Sequence, residues 1–283
     1  MLKVPQRIHV VIWMDVKMKY SIFASGSKGN CTYIQAGLTQ LVIDCGTTKS
    51  YLTQSFHSIN VELNKIDALL ITHNHNDHIA QLNVFRDVKC VVSPILLNAR
   101  EDSQVWMPYI KHRINDVDIM PIVLSHDCDM IYGYIIAHGN EKLVYITDTG
   151  YIKAKDFNLI QGADYYIIES NHDVDLLMKS NRPYFTKQRI LSDVGHLSNE
   201  DSAYVLSQIV TPKTKEIVLA HLSQEANQPD LAIQCVNEAF EKEGLIPSDY
   251  KIRCAAQSLI VQGGIDNEEA TNYWPNFSIA HLE

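Results

Sequence analysis

Ile71-Thr72-His73-Asn74-His75-Asn76-Asp77-His78 follows directly on the apolar run Asp67-Ala68-Leu69-Leu70-Ile71. Three histidines and an aspartate fall within six residues, from His73 to His78. Core packing does not account for such crowding, because imidazoles this close gain little from burial and repel one another once protonated. A metal ion resolves the conflict, since neutral imidazole nitrogen and carboxylate oxygen are its natural ligands. The run before the cluster has the length and composition of a buried strand. The cluster therefore stands where a strand delivers the chain to the edge of a fold.

Working outward, the same arrangement recurs. Polar candidates follow apolar, strand-like runs at His126, Asp148, Asn171 and His221. In layered α/β folds such strand ends converge on one rim, where ligands bind. Strands are also expected over 20–24, 31–35, 40–44, 89–92, 130–137, 143–146, 164–168, 216–220, 251–255 and 258–261. Helices are expected over 50–57, from near Asp77 through Phe85, from Pro94, over 199–209 with Ser198 as cap, and over 229–242. Residues 101–119 read as a polar, irregular insertion.

The chain has 283 residues, 46% of them hydrophobic, enough for a substantial core. It carries 24 basic and 33 acidic residues, a net charge of −9 with neutral histidine, so its overall field does not advertise a nucleic-acid partner. Any anionic substrate needs a local basic patch or metal ions. Six scattered cysteines without a CxxC pair read as reduced thiols of a cytoplasmic protein. No run approaches the roughly 20 apolar residues of a membrane span. Residues 1–17 are expected to be an appended arm, 18–262 the catalytic domain and 263–283 a peripheral tail.

The His73-x-His75-x-Asp77-His78 spacing after a buried strand resembles the signature of the metallo-β-lactamase superfamily. His126, Asp148 and His221 follow in the order of that family's later motifs. Within it, the stretches 23–30, 169–173, 187–199 and 220–225 resemble the YycJ/WalJ-like exonuclease branch. The resemblance implies a four-layered αβ/βα sandwich with metals at one rim. It also implies that His73, His75 and His126 bind one ion, that Asp77, His78 and His221 bind a second, and that Asp148 bridges them. Two dications at such a centre activate a shared water for attack and offset charge on a phosphodiester. The nitrogen and oxygen donor set suits zinc or manganese.

The resemblance further implies hydrolysis of DNA from its 5′ end. A small-molecule or cyclic-nucleotide phosphodiesterase shares the same chemistry and stands as the alternative, with thioester or β-lactam hydrolysis behind it. Asp77, His196 and His172 are the candidate catalytic side chains. His196 follows a glycine, precedes a helix start, and suits a proton donor to the leaving oxygen. Residues 179–189 carry Lys179, Arg182, Lys187 and Arg189, no acid, and Tyr184-Phe185 between them. They are read as substrate-binding, the cations for phosphates and the aromatics for stacking, against the rival of a solvated face with its aromatics in the core. Ser25, Asn30 and Asn171 complete the substrate-binding candidates. The termini leave oligomerisation open, a homodimer included.

Overall fold

The computed structural model describes residues 17–264, so the expected arm and tail lie outside the described residues apart from Lys17, Gly263 and Gly264. Two seven-stranded sheets form the middle of the molecule. The first contains β1 (Lys19–Ala24), β2 (Cys31–Ala36), β3 (Thr39–Ile43), β4 (Ala68–Leu70), β5 (Cys90–Ser93) and β6 (Gln104–Val105). The second contains β7 (His112–Ile114), β8 (Val117–Val123), β9 (Tyr132–His138), β10 (Glu141–Ile146), β11 (Tyr165–Glu169), β12 (Glu216–Ala220) and β13 (Lys251–Cys254). The last strand, β14 (Val261–Gly263), returns to pair with β1 and closes the first sheet.

Period-two alternation explains the layering. In β3 and β4, Leu41, Ile43, Ala68 and Leu70 face the core between the sheets, while Val42 and Leu69 face outward. In β10, β11 and β12, Leu143, Tyr145, Ile167 and Val218 face inward, while Val144, Tyr166, Ile168 and Ile217 face outward. Strands covered on both faces must be apolar on both, and these are. The outer face of the first sheet packs on α1 (Lys49–Ser58), through Leu52 and Phe56. That of the second packs on α6 (Asn199–Ile209) and α7 (Pro229–Lys242), through Leu206, Val236 and Phe240. The result is the expected αβ/βα sandwich.

The shorter helices are α2 (Asn76–Ile79), α3 (Phe157–Ile160), α4 (Val174–Lys179) and α5 (Tyr184–Ile190). Helices α6 and α7 have the bounds expected from sequence, and Ser198 Oγ accepts from Asp201 N at 3.0 Å as the cap of α6. Four expectations need correction. The helix from near Asp77 through Phe85 is two short pieces, α2 and a 3-10 turn over Leu82–Phe85. Pro94 starts no helix: Arg100 N donates to Leu97 O, Leu97 N donates to Ser103 Oγ, and Arg100 donates to the carbonyls of Phe85 and Val88, which folds the segment into a pinned turn. Residues 101–119 contain β6, β7 and the start of β8, and Trp106 packs against the central core. The strand expected over 258–261 begins only at Val261.

Pro121 lies inside β8, where a proline costs a ladder hydrogen bond. Strand β7 pairs only with Val117–Ile119, so at Pro121 strand β8 has left that ladder, and Pro121 O instead accepts from Tyr109 N at 2.7 Å. Among the described residues no helix is long and apolar enough to cross a membrane.

Candidate metal centre

Parallel pairing of β3 with β4, of β10 with β11 and of β11 with β12 brings their C-terminal ends to one rim. The sheets are also joined there: Tyr134 Oη donates to Ile71 O at 2.6 Å and Tyr132 N donates to Thr72 O at 2.9 Å. Asp44, Asp148 and His221 follow β3, β10 and β12 with φ of 60°, 57° and 55°. Left-handed backbone at a non-glycine residue is costly, about 1–2 kcal/mol, and recurs where a site needs a side chain aimed off a strand end.

The His73–His78 loop is fixed by backbone contacts to the glycine-rich turn before β2 and to the residues that follow β3. Asn30 N donates to Asp77 O at 2.8 Å, and Cys45 N donates to His78 O at 2.7 Å. A Cβ on Gly46 would lie 1.5 Å from Asp77 O, so only glycine admits this approach. His75 occupies the position before α2 but makes no capping bond, which leaves its ring to the site.

The rings then gather. His73 lies 4.1 Å from His78, 4.5 Å from His75 and 5.3 Å from His126, centroid to centroid. Donor atoms of His73, His75 and His126 lie within 4.8 Å of one another, as do those of Asp77, His78 and His221. His73, His78 and Asp148 form a third such group that links the first two. Asp148 sits centrally, with Oδ2 3.2 Å from His78 Nε2 and Oδ1 3.3 Å from His221 Nε2. All seven expected ligands therefore share one place.

Acceptors behind the rings set their tautomers. A carboxylate or carbonyl oxygen only accepts, so the facing ring nitrogen must carry the proton. His78 Nδ1 donates to Asp44 Oδ2 at 2.7 Å, and His221 Nδ1 donates to Glu169 Oε1 at 2.9 Å. His196 Nδ1 donates to the same Oε1 at 2.8 Å, and His126 Nδ1 donates to Gly195 O at 3.2 Å. Each bond commits Nδ1, and on His78 and His221 the Nε2 turns to Asp148. Burial and neighbouring rings push His73 and His126 down from the usual histidine range, towards the neutral form that ligates. Burial opposes charge on His221 as well, but Asp148 and Glu169 outweigh it and push that ring up to about 9.

A cation fits this set of donors. His73 Nε2, His221 Nε2 and Asp148 Oδ2 are buried and make no hydrogen bond within the protein. Leaving a buried polar atom unsatisfied costs about 1–3 kcal/mol each, and coordination removes that cost for all three. No thiol belongs to any of the donor groups among the described residues.

Two groups at the centre were not singled out from sequence. Glu169 is fully buried, takes His196 and His221 on Oε1, and accepts from Thr149 N on Oε2 at 2.7 Å. Burial works against its charge, but the two rings outweigh burial and hold the carboxyl well below its usual range. Asp44 likewise accepts from Thr72 N at 2.8 Å and Thr72 Oγ1 at 2.9 Å while holding His78. Both end apolar strands at the same rim, the signal that marked Asp148 and His221.

The remaining candidates divide. His196 lies 5.1 Å from His126 and 5.4 Å from His221, within the cluster. His172 is buried with no partner on either ring nitrogen, burial lowers it to about 4, and it joins none of the donor groups. Ser25 Oγ accepts from His221 N at 2.8 Å, Asn171 Nδ2 donates to His221 O at 2.8 Å, and Asn30 Nδ2 lies 2.9 Å from His78 Nε2. Ser25 and Asn171 thus brace His221, while Asn30 donates to the His78 nitrogen that faces the donor cluster. Lys187 is turned inward, its ammonium donating to Met178 O and Ser180 O at 2.7 Å each, where it caps α4. Arg182 pairs with Glu225, Arg189 with Asp127, and exposed Lys179 stands 3.9 Å from Asp175.

Comparison with known proteins agrees with this geometry. The model of the β-lactamase superfamily domain matches residues 39–222. The chain is 34% identical over 239 residues to the exodeoxyribonuclease YycJ of Bacillus anthracis, covering 80% of this chain and 90% of that protein. It is 33% identical over 253 residues to the exodeoxyribonuclease WalJ of Streptococcus pneumoniae, covering 84% and 94%. Among solved structures, the metallo-β-lactamase fold protein YhfI of Bacillus subtilis superposes with a TM-score of 0.67 at 17% identity, over 87% of this chain and 100% of that one, a likeness of fold.

Proposed function

Because this chain belongs to the β-lactamase superfamily and is a metal-dependent hydrolase, we propose that it cleaves the phosphodiesters of DNA as an exonuclease working from the 5′ end. The observation that carries the chemistry is the pair of three-donor groups joined through Asp148. His73, His75 and His126 would hold one divalent ion, Asp77, His78 and His221 the other, with Asp148 shared. Zinc and manganese both suit these nitrogen and oxygen donors. When bound, the two ions supply Lewis acidity, offsetting phosphate charge and making water a nucleophile at neutral pH.

The protein's own residues do the rest. Asp44 and Thr72 fix the His78 ring, and Glu169 and Ser25 fix His221. Glu169 holds His196 by Nδ1, leaving Nε2 to hand a proton to the leaving oxygen. The carboxylate offsets the charge of that ring while it carries both protons. Ser25, Asn30 and Asn171 act as positioning groups, and Asp77, 29% exposed on its side chain, faces the open side of the centre.

The DNA substrate rests on the two exodeoxyribonuclease relatives. Its test is a panel in manganese or zinc: 5′-labelled duplex DNA, single-stranded DNA, RNA, a cyclic nucleotide and a thioester. Release of labelled mononucleotide from DNA ahead of all other substrates is the expected result. Preference for the cyclic nucleotide or the thioester would overturn the DNA reading and leave the centre intact.

A further inference from the structure

Helix α5 turns two large aromatic side chains to solvent, Tyr184 at 66% and Phe185 at 73% exposure. Exposing one ring is ordinary, but two adjacent rings on a seven-residue helix beside a metal centre call for a reason. The rival reading, with these rings in the core, fails because Lys187 and Ile190 take the inward face instead. At 3.6 residues per turn, Phe185 and Arg189 share one face, with Tyr184 and Gln188 in the adjoining row.

Arg189 joins that face to the site. Its guanidinium pairs with Asp127, whose Oδ1 is 3.0 Å from His126 Nε2. The far end of the segment is tied as well: Gly195 O holds His126 Nδ1, and a Cβ on Gly150 would come within 2.3 Å of the Asp193 backbone. Phe185 thus stands one turn, about 5.4 Å, beyond a side chain that reaches the edge of the donor cluster.

Residues 179–189 carry four cations and no acid in a chain of net −9. Yet Arg182 and Arg189 are committed to Glu225 and Asp127, and Lys187 to two carbonyls. Grip on a nucleic acid here must come chiefly from the flat rings, which stack on any base.

We propose that Tyr184 and Phe185 form a base-stacking platform that holds the nucleic-acid strand a few nucleotides from the phosphodiester to be cut. This rests on the reading of DNA as substrate. The test compares wild type, Phe185→Ala, Phe185→Trp and the Tyr184→Ala/Phe185→Ala double variant on a 5′-phosphorylated oligonucleotide and on bis(p-nitrophenyl) phosphate. KM for the oligonucleotide should rise about tenfold or more on losing a ring, with a smaller change in kcat and little change in salt dependence. That loss should exceed any loss on the small diester by about tenfold, and Phe185→Trp should restore it. 2-Aminopurine placed within three nucleotides of a phosphorothioate-blocked end should be quenched by wild type and not by Phe185→Ala. DNA cleavage with wild-type KM and quenching in the double variant overturns the platform alone, as does equal loss on both substrates. A wild type that cleaves the small diester but no polynucleotide overturns the DNA reading, and the platform with it.

Discussion

Replacing Glu169 with glutamine keeps its size and removes its charge. The carboxylate accepts from four donors: His196 Nδ1 at 2.8 Å and His221 Nδ1 at 2.9 Å on Oε1, and Thr149 N at 2.7 Å and Leu197 N at 3.4 Å on Oε2. An amide has one oxygen, and its NH2 cannot accept. If the oxygen stays with the rings, Thr149 N is left facing another donor. If it flips, both rings lose the acceptor that sets their tautomer. Hydrogen bonds to a charged group contribute about 1.5–3 kcal/mol each, and roughly half when the charge is gone. The cheaper arrangement therefore costs about 4–9 kcal/mol in total, from the bonds of Thr149 N and Leu197 N lost and the two ring bonds weakened. Loss of a partner behind a metal-binding histidine lowers metal affinity or activity by about 10–100-fold. Glu169→Gln should accordingly retain less metal after graded dialysis against EDTA, measured by plasma mass spectrometry. Its kcat on 5′-labelled DNA should fall by about 10–100-fold. Glu169→Asp, which keeps the charge, should recover part of both. Full metal content and wild-type kcat in Glu169→Gln would refute the assignment of Glu169 as the group that orients His196 and His221.

His196→Ala should keep the wild-type metal content but slow turnover by about 10²–10⁴-fold; metal analysis with single-turnover kinetics checks this, and unchanged turnover removes His196 from proton transfer. Lys187→Met should lower Tm by breaking the cap on α4, with no change in the salt dependence of DNA binding; a shallower salt slope with unchanged Tm would return Lys187 to phosphate contact. Asp164 is held below the usual carboxylate range: burial opposes its charge, but Lys213, the Lys142 N–H and Lys215 outweigh it. Its folded pKa lies below the unfolded value, so its contribution is fully present above the unfolded value of about 3.9 and is lost as pH falls through the folded one. Asp164→Asn should lower Tm by about 2–8 °C at neutral pH, and denaturation curves should show that gap narrowing below about pH 4; a gap independent of pH would contradict the ionic origin.

Strand ends were the most legible feature of this chain. Apolar runs of strand length ending in His73, Asp148 and His221 are local patterns, and hydrophobic periodicity reports them without knowledge of neighbours. The bounds of α6 and α7 were legible for a similar reason, since a serine cap and a proline at the first turn are local signals. The failures were equally physical. Pro94 is well placed to start a helix, but contacts from Arg100 to Phe85 and Val88 override that propensity. The insertion over 101–119 gains β6 and β7 only because sheet edges exist for them to join.

The His73–His78 cluster pointed by itself to a metal ion at a strand-end rim, and strand-end position with family resemblance added His126, Asp148 and His221 as candidates. Residue type and spacing fix ligand chemistry, and they are properties of the chain alone. Only the tertiary structure decided which side chains stand behind those ligands. Asp44 and Glu169 orient His78, His196 and His221 from other strands, and left-handed backbone at Asp44, Asp148 and His221 aims the side chains inward. It also turned Lys187 inward and Phe185 outward on a single helix. Burial, tautomer and ion pairing depend on what packs against a residue across the fold, and no local pattern carries that.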